Sequence, residues 1–220
     1  MKYVVMKRLT LAGCVVAALA GTLSACVPLV VGGAAAGTAL VATDRRTSGA
    51  QLEDEGIELR AKNRIDSNLG TRVRVRVNSY NRQVLLTGEV PNLQDKQLVE
   101  QVVSRVENVV SVVNELAVLD SPSLMERSSD LLVTGRVKAM LVDARDLSSN
   151  AFKVVTERGT TYLMGRVTQR EADRATEVVR ATPGVQKVVR IFEIISEDEL
   201  ARMLPAPDKS QPATSKPAGG

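Results

Sequence analysis

The chain has 220 residues, with 29 Lys and Arg against 25 Asp and Glu, two Cys and no His. The missing imidazole excludes Ser-His-Asp and Cys-His catalysis and any His-based zinc site. With no Trp, two Phe and three Tyr, stacking on nucleic-acid bases is poorly supplied as well.

At the N-terminus Lys2, Lys7 and Arg8 flank an apolar run over 9–19. That run is shorter than the roughly 20 residues that span a bilayer and leads into small residues, as a cleaved export signal does. Leu23-Ser24-Ala25-Cys26 follows, with the aliphatic, small, small, cysteine order of a bacterial lipobox. Small residues let the extended chain enter a peptidase, and the thiol accepts a diacylglyceryl group before cleavage. Residues 1–25 are expected to be a lipoprotein signal peptide, and Cys26 the lipidated residue carrying acyl chains such as palmitate. Cleavage removes three cations and no acid, so +4 falls to 26 bases against 25 acids, or +1. The basic balance then says little for nucleic acid. Cys14 leaves with the signal and Cys26 is alkylated, so neither a disulfide nor a thiolate metal site is expected.

Residues 26–53 begin with the lipidated cysteine and continue rich in Gly, Ala, Val and Thr, with helix-weakening Pro28, Gly32, Gly33 and Gly37. They read as a flexible tether, reaching at most about 90–100 Å when extended. Residues 197–220, Pro- and Ala-rich beyond Pro205, read as a disordered tail.

Between them the chain repeats itself. Val84-Leu85-Leu86-Thr87-Gly88-Glu89-Val90 matches Thr161-Tyr162-Leu163-Met164-Gly165-Arg166-Val167. Glu107-Asn108-Val109 matches Pro183-Gly184-Val185, and Asn63-Arg64-Ile65 with Leu69 matches Gly135-Arg136-Val137 with Leu141. Domains are placed at 54–120 and 129–196, joined by a linker over 121–128. In the first, the patterns predict helices over 55–69 and 93–106 and strands over 72–79, 83–90 and 109–119. In the second they predict helices over 130–142 and 169–181 and strands over 151–157, 161–167 and 185–195. Asn81 and Gly159 mark hairpin turns, and Asn108 and Gly184 suit a positive φ between helix and strand. Units this small bury a core most economically with one sheet and two helices on a single face.

The first helix of the second unit carries the candidate binding face. With Val133, Val137, Met140, Leu141 and Ala144 on the core side, Leu131, Leu132, Gly135, Ala139 and Val142 point outward, edged by Arg136 and Lys138. An apolar face edged with cations suits an anionic bilayer surface. The aligned positions of the first unit, Leu59, Arg60, Asn63, Ser67 and Gly70, are mostly polar. Arg72, Arg74 and Arg76 alternate along one strand and are expected to form a solvated outer face that blocks edge pairing. Val155, Tyr162, Met164, Val189 and Ile191 make a sheet face too apolar to stay bare. The first unit, the linker or a partner chain is expected to cover it.

On the lipobox, the Ala/Gly-rich stretch, Thr43-Asp44-Arg45-Arg46, the strands around Gly88 and Gly165 and the Gly184-Val185 turn, the chain resembles the BON domain family. In its tandem arrangement it is similar to the dual-BON outer-membrane lipoproteins. The resemblance implies an α+β fold: two tandem αββαβ domains, each a small three-stranded mixed sheet with two helices on one face. It also implies no enzymatic activity, no cofactor and no metal. It implies anchoring in the outer membrane facing the periplasm, binding of anionic phospholipid through the second domain, and support of envelope integrity. Val27 after the cysteine favours outer-membrane sorting in the family's organisms. Those proteins place an aromatic residue near the Leu132 position, where this chain has leucine. The residues themselves leave a second reading open, a periplasmic scaffold or chaperone-like module that engages another envelope protein through the apolar sheet face.

Overall fold

The computed structural model describes residues 44–119 and 124–203. The expected signal peptide, Cys26, the tether up to residue 43, residues 121–123 of the linker and the tail from 204 lie outside the described residues. The first domain runs α1 (Ser48–Leu69), β1 (Arg74–Tyr80), β2 (Gln83–Val90), α2 (Leu93–Ser104), β3 (Ser111–Asn114) and β4 (Ala117–Val118). The second runs α3 (Leu124–Asp143), β5 (Lys153–Glu157), β6 (Thr160–Val167), α4 (Gln169–Arg180) and β7 (Lys187–Ile194), followed by α5 (Glu197–Met203). Each sheet is mixed: β1 and β5 lie antiparallel to β2 and β6, while β3, β4 and β7 run parallel to them. The αββαβ order and the α+β class are as the repeats predict.

Several boundaries differ from the sequence reading, among them that of α3, which begins at Leu124 inside the expected linker over 121–128. Helix α1 begins at Ser48, inside the expected tether, because Thr47 Oγ1 accepts the Ala50 N–H at 3.1 Å and caps it. Residues 197–203, read as disordered, are helical. Ser196 Oγ accepts the Glu199 N–H, three acids complement the helix N-terminus, and Leu200 is buried. The single strand expected over 109–119 is divided, because Asn114 turns its side chain onto the Lys96 carbonyl and the Leu116 N–H.

Both cores obey helical spacing. Ile57, Ala61, Ile65 and Leu69 of α1 meet Val99 and Val103 of α2 over Val84, Leu86 and Val90. In the second domain Val133, Val137 and Leu141 meet Ala172, Ala175 and Val179 over Leu163 and Val167. Met140, expected in the core, is 41% exposed. At about 100° per residue it sits roughly 60° from the centre of the Val133-Val137-Leu141 stripe.

The two helices register one turn away from the sequence alignment. Asp54 accepts the Asn81 and Arg82 N–H groups at 2.7 and 2.8 Å, and Asp130 accepts those of Arg158 and Gly159 at 2.7 and 3.0 Å. All four turn residues have positive φ, as the tightest hairpin turns require. Each carboxylate therefore holds open a turn that costs its non-glycine residues conformational energy. Asp54 thus corresponds to Asp130, and Ile57, Ala61 and Ile65 to Val133, Val137 and Leu141. The pairing of Asn63-Arg64-Ile65 with Gly135-Arg136-Val137 is corrected accordingly.

A third core lies between the sheets. Tyr80, Leu85 and Val113 of the first domain pack on Tyr162, Met164, Ile191, Val155 and Val189 of the second. The first domain therefore covers the apolar sheet face.

Candidate functional site

The outward face of α3 is as the helical spacing predicts. Leu131, Leu132 and Val142 are 68%, 63% and 65% exposed, and Gly135, Arg136, Lys138 and Ala139 are exposed beside them. Its rotation is fixed by the core stripe opposite and by the turn after α4. There Gly184 takes φ +97, and an added Cβ would lie 2.6 Å from Val133 Cγ2. In the corrected register the first-domain counterparts of the five apolar positions are Glu55, Gly56, Leu59, Asn63 and Asp66. The contrast is sharper than the sequence alignment suggests. The cations behave differently too. Arg60 and Lys62, the counterparts of Arg136 and Lys138, are held by Glu53 and Asp66. Arg136 contacts only the Pro183 carbonyl, at 3.5 Å, and neither it nor Lys138 has an acidic partner among the described residues.

The arginine row departs from expectation. Arg72 lies in a short 3-10 turn before β1 and pairs with Asp95 at 2.8 Å. Arg74 approaches Glu89, and Arg76 crosses to Glu157 of the second domain at 3.1 Å. Arg72 and Arg76 stay exposed, as a solvated row would, but Arg74 and Arg76 also form one side of a charged seam in which Arg158 approaches Glu89. Burial raises the Glu89 and Glu157 carboxyls above their usual range, and the neighbouring arginines only partly oppose it.

The other end of the seam is closed by a motif to which the sequence reading gave no role. Arg45 presents both guanidinium nitrogens to the Glu171 carboxylate at 2.7 Å and donates to the Arg166 carbonyl at 2.9 Å. Glu171 is also the third residue of α4 and completes its capping box with Thr168. Arg46 turns to the first domain, binding Asp54 at 2.8 Å and stacking 4.3 Å from the Tyr80 ring centroid. Burial alone would raise Asp54 and Glu171. Hydrogen bonds from Ser79, the Arg82 N–H and Arg46 outweigh it at Asp54, and those from Arg45 and the Thr168 N–H outweigh it at Glu171, so both carboxyls end below their usual range. Burial lifts the Tyr80 hydroxyl to about 12. The sequence signal was two adjacent arginines behind an apolar stretch. Their partners lie too far along the chain to be read from it.

Among the described residues no group of three or more acidic or thiol side chains is placed to hold a metal, and no helix is long and apolar enough to cross a membrane.

Two domains with this topology are joined in tandem. The BON domain profile matches residues 53–120 and 129–195, and the chain belongs to the BON domain family. It is 39% identical over 176 residues, 79% of this chain and 90% of the relative, to the outer membrane lipoprotein DolP of Haemophilus influenzae. It is 29% identical over 154 residues, 69% and 79% respectively, to a 21 kDa hemolysin of Actinobacillus pleuropneumoniae. It is 31% identical over 117 residues, 52% and 58% respectively, to the osmotically inducible protein Y of Escherichia coli.

Proposed function

We propose that this protein is a lipid-anchored outer-membrane protein facing the periplasm, attached through Cys26. In this reading its second BON domain binds anionic phospholipid through α3 and supports envelope integrity. The likeness to DolP supports the location, and the lipobox supports the anchor. The observation that carries the binding site is the asymmetry of the two first helices. One presents Leu131, Leu132, Gly135, Ala139 and Val142 beside Arg136 and Lys138, which have no acidic partner among the described residues; the other presents mostly polar residues and cations paired with Glu53 and Asp66. Each Leu or Val side chain transferred fully from water would contribute about 1.5–3 kcal/mol, and each cation at an anionic surface about 1 kcal/mol. The helix alone would bind weakly. An anchor on the same chain raises its effective concentration at the bilayer, so a weak contact suffices.

The test is co-sedimentation of the full chain carrying Cys26→Ser, which cannot be acylated, with vesicles containing phosphatidylglycerol or phosphatidylcholine alone. Binding should require the anionic lipid and disappear in Leu132→Asp with Arg136→Glu. Unchanged binding of that variant would refute the assignment. The scaffold reading loses its surface, because Tyr162, Met164 and Ile191 are already packed on the first domain.

A further inference from the structure

The two ends of the seam are fastened unequally. At one end Glu171 accepts from Arg45, and Asp54 accepts from Arg46, Ser79 and the Asn81 and Arg82 amides. The other end holds buried acids that are poorly bonded. Leu85, Thr87 and Glu89 alternate onto the seam side of β2, with Leu85 in the apolar interdomain core. Glu89 is 2% exposed and Glu157 6%. Among the described residues neither Glu89 oxygen accepts a hydrogen bond, nor does Glu157 Oε2. Arg74 and Arg158 stand 3.8 and 3.7 Å from Glu89, beyond hydrogen-bond reach. Arg76 comes within 3.1 Å of Glu157 Oε2 without the alignment of a hydrogen bond. Two of these pairs cross the seam in opposite senses. Arg158 of the second domain faces Glu89 of the first, and Arg76 of the first faces Glu157 of the second. The charged groups around Glu89 are Arg74 and Arg76 of β1, Arg127 of α3 and Arg158 of the β5–β6 turn. Around Glu157 stand Arg74, Arg76, Glu89, Asp130 of α3 and Tyr162 of β6.

We propose that this end of the seam is a proton-operated latch between the domains, tight with Glu89 and Glu157 protonated and slack with both ionised. Burial decides the sign. Arg74, Arg76 and Arg158 keep part of their surface in water, which screens them, whereas the two glutamates are fully desolvated. A buried carboxylate without a bonded donor is disfavoured against its neutral form, and ionised Glu89 also repels ionised Glu157. Thr87 Oγ1, buried and unbonded on the same strand face as Glu89, offers an acceptor to the protonated carboxyl. The closed seam therefore holds the protons, so falling pH favours closure and rising pH loosens it. The response lies above about pH 4, where free carboxylates titrate. Asp54 and Glu171 titrate lower, so the Arg45–Arg46 end stays fastened throughout. Loosening stops short of separation, because the chain itself passes between the domains near Glu89. Ala117 of β4 pairs with Glu89, and Arg127 of α3 faces it. What changes is the groove of about 640 Å³ lined by Leu59 and Arg76 from the first domain and by Leu131 and Val155 from the second. The latch sets its width. This assignment does not depend on the lipid face.

Leu59 and Leu131 are exposed on the α1 and α3 walls of the groove, one in each domain. Nitroxide labels on Leu59→Cys and Leu131→Cys, in the full chain carrying Cys14→Ser and Cys26→Ser, report its width as a spin–spin distance. Measured at about pH 7.5 and about pH 5, both above the ordinary carboxylate range, the distance should become shorter and more narrowly distributed at the lower value. Circular dichroism should stay constant. Glu89→Gln with Glu157→Gln should give the short, narrow distribution at both pH values. An unchanged distribution in the labelled parent overturns the proposal, as does a double variant that still responds to pH. Should the double variant not fold, the carboxyl carbon shifts of Glu89 and Glu157 in the labelled parent decide. Midpoints that do not coincide with that of the distance change refute the latch.

Discussion

Arg45 and Glu171, 126 positions apart in the chain, meet fork to fork with both nitrogen–oxygen distances at 2.7 Å and their side chains only 5% and 4% exposed. Bidentate, desolvated pairs of this kind are strong only while complete. Arg45→Ala would leave the Glu171 carboxylate buried without its cation. The expected cost is about 3–5 kcal/mol of stability in urea unfolding of the full chain. Arg45→Met with Glu171→Leu should cost clearly less than the sum of the single changes. Strict additivity would show that the two side chains are not coupled.

The buried carboxyls predict opposite responses to pH. Asp54 and Glu171 have lowered folded values, so the stability they contribute is present above the ordinary carboxylate range near about 4 and is lost as pH falls through their depressed values. Glu89 and Glu157 have raised folded values. Their contribution is present below that ordinary range and is lost as pH rises through the raised values. Glu89→Gln should therefore raise the urea midpoint at about pH 7 and leave it nearly unchanged at about pH 4. A lower midpoint at neutral pH would mean that Arg74 and Arg158 outweigh burial.

Asp130 holds the Arg158 and Gly159 amides in a turn where both residues have positive φ. Losing two hydrogen bonds to a charged acceptor should cost about 2–4 kcal/mol in Asp130→Ala. Amide exchange at positions 158 and 159 should accelerate before that of β6 does. Equal acceleration throughout the second domain would mean that the carboxylate supports the whole domain rather than its turn.

The lipid face makes its own prediction. Tryptophan has the amphipathic ring that settles at headgroup depth, so Leu132→Trp should strengthen vesicle binding of the Cys26→Ser chain severalfold. Lys138→Ala should weaken it by about 1 kcal/mol at low salt, and by much less at high salt. Vesicle titration at two ionic strengths reads both effects. No change in either variant would place the contact elsewhere.

The elements governed by local periodicity were the legible ones. Strand β2 spans the range predicted from its repeated motif, and α3 exposes the residues that its spacing turns away from Val133, Val137 and Leu141. The apolar face around Tyr162 and Met164 announced that something must cover it, since hydrophobic area cannot stay bare. What periodicity cannot show is partnership between distant charges. Arg74 and Arg76 looked like a solvated row because Glu89 reaches Arg74 only once β1 and β2 take their register, and Glu157 reaches Arg76 only when the two domains meet. Arg45 and Arg46 were visible as a motif without a role. The helix register was misread by one turn because similarity of side chains was matched. The two aspartates that hold the hairpins, the better landmark, have equivalent roles only in three dimensions.

The fastening at Asp44, Arg45 and Arg46 has a mechanical consequence. Tension arriving along the chain from the N-terminal side would reach the first domain through α1 and the second through Arg45. It divides at Arg45 and Arg46 between Glu171 of one and Asp54 of the other, pressing across the seam rather than peeling it. Under strain the pair of domains would move as a single load until the Arg45–Glu171 fork lets go.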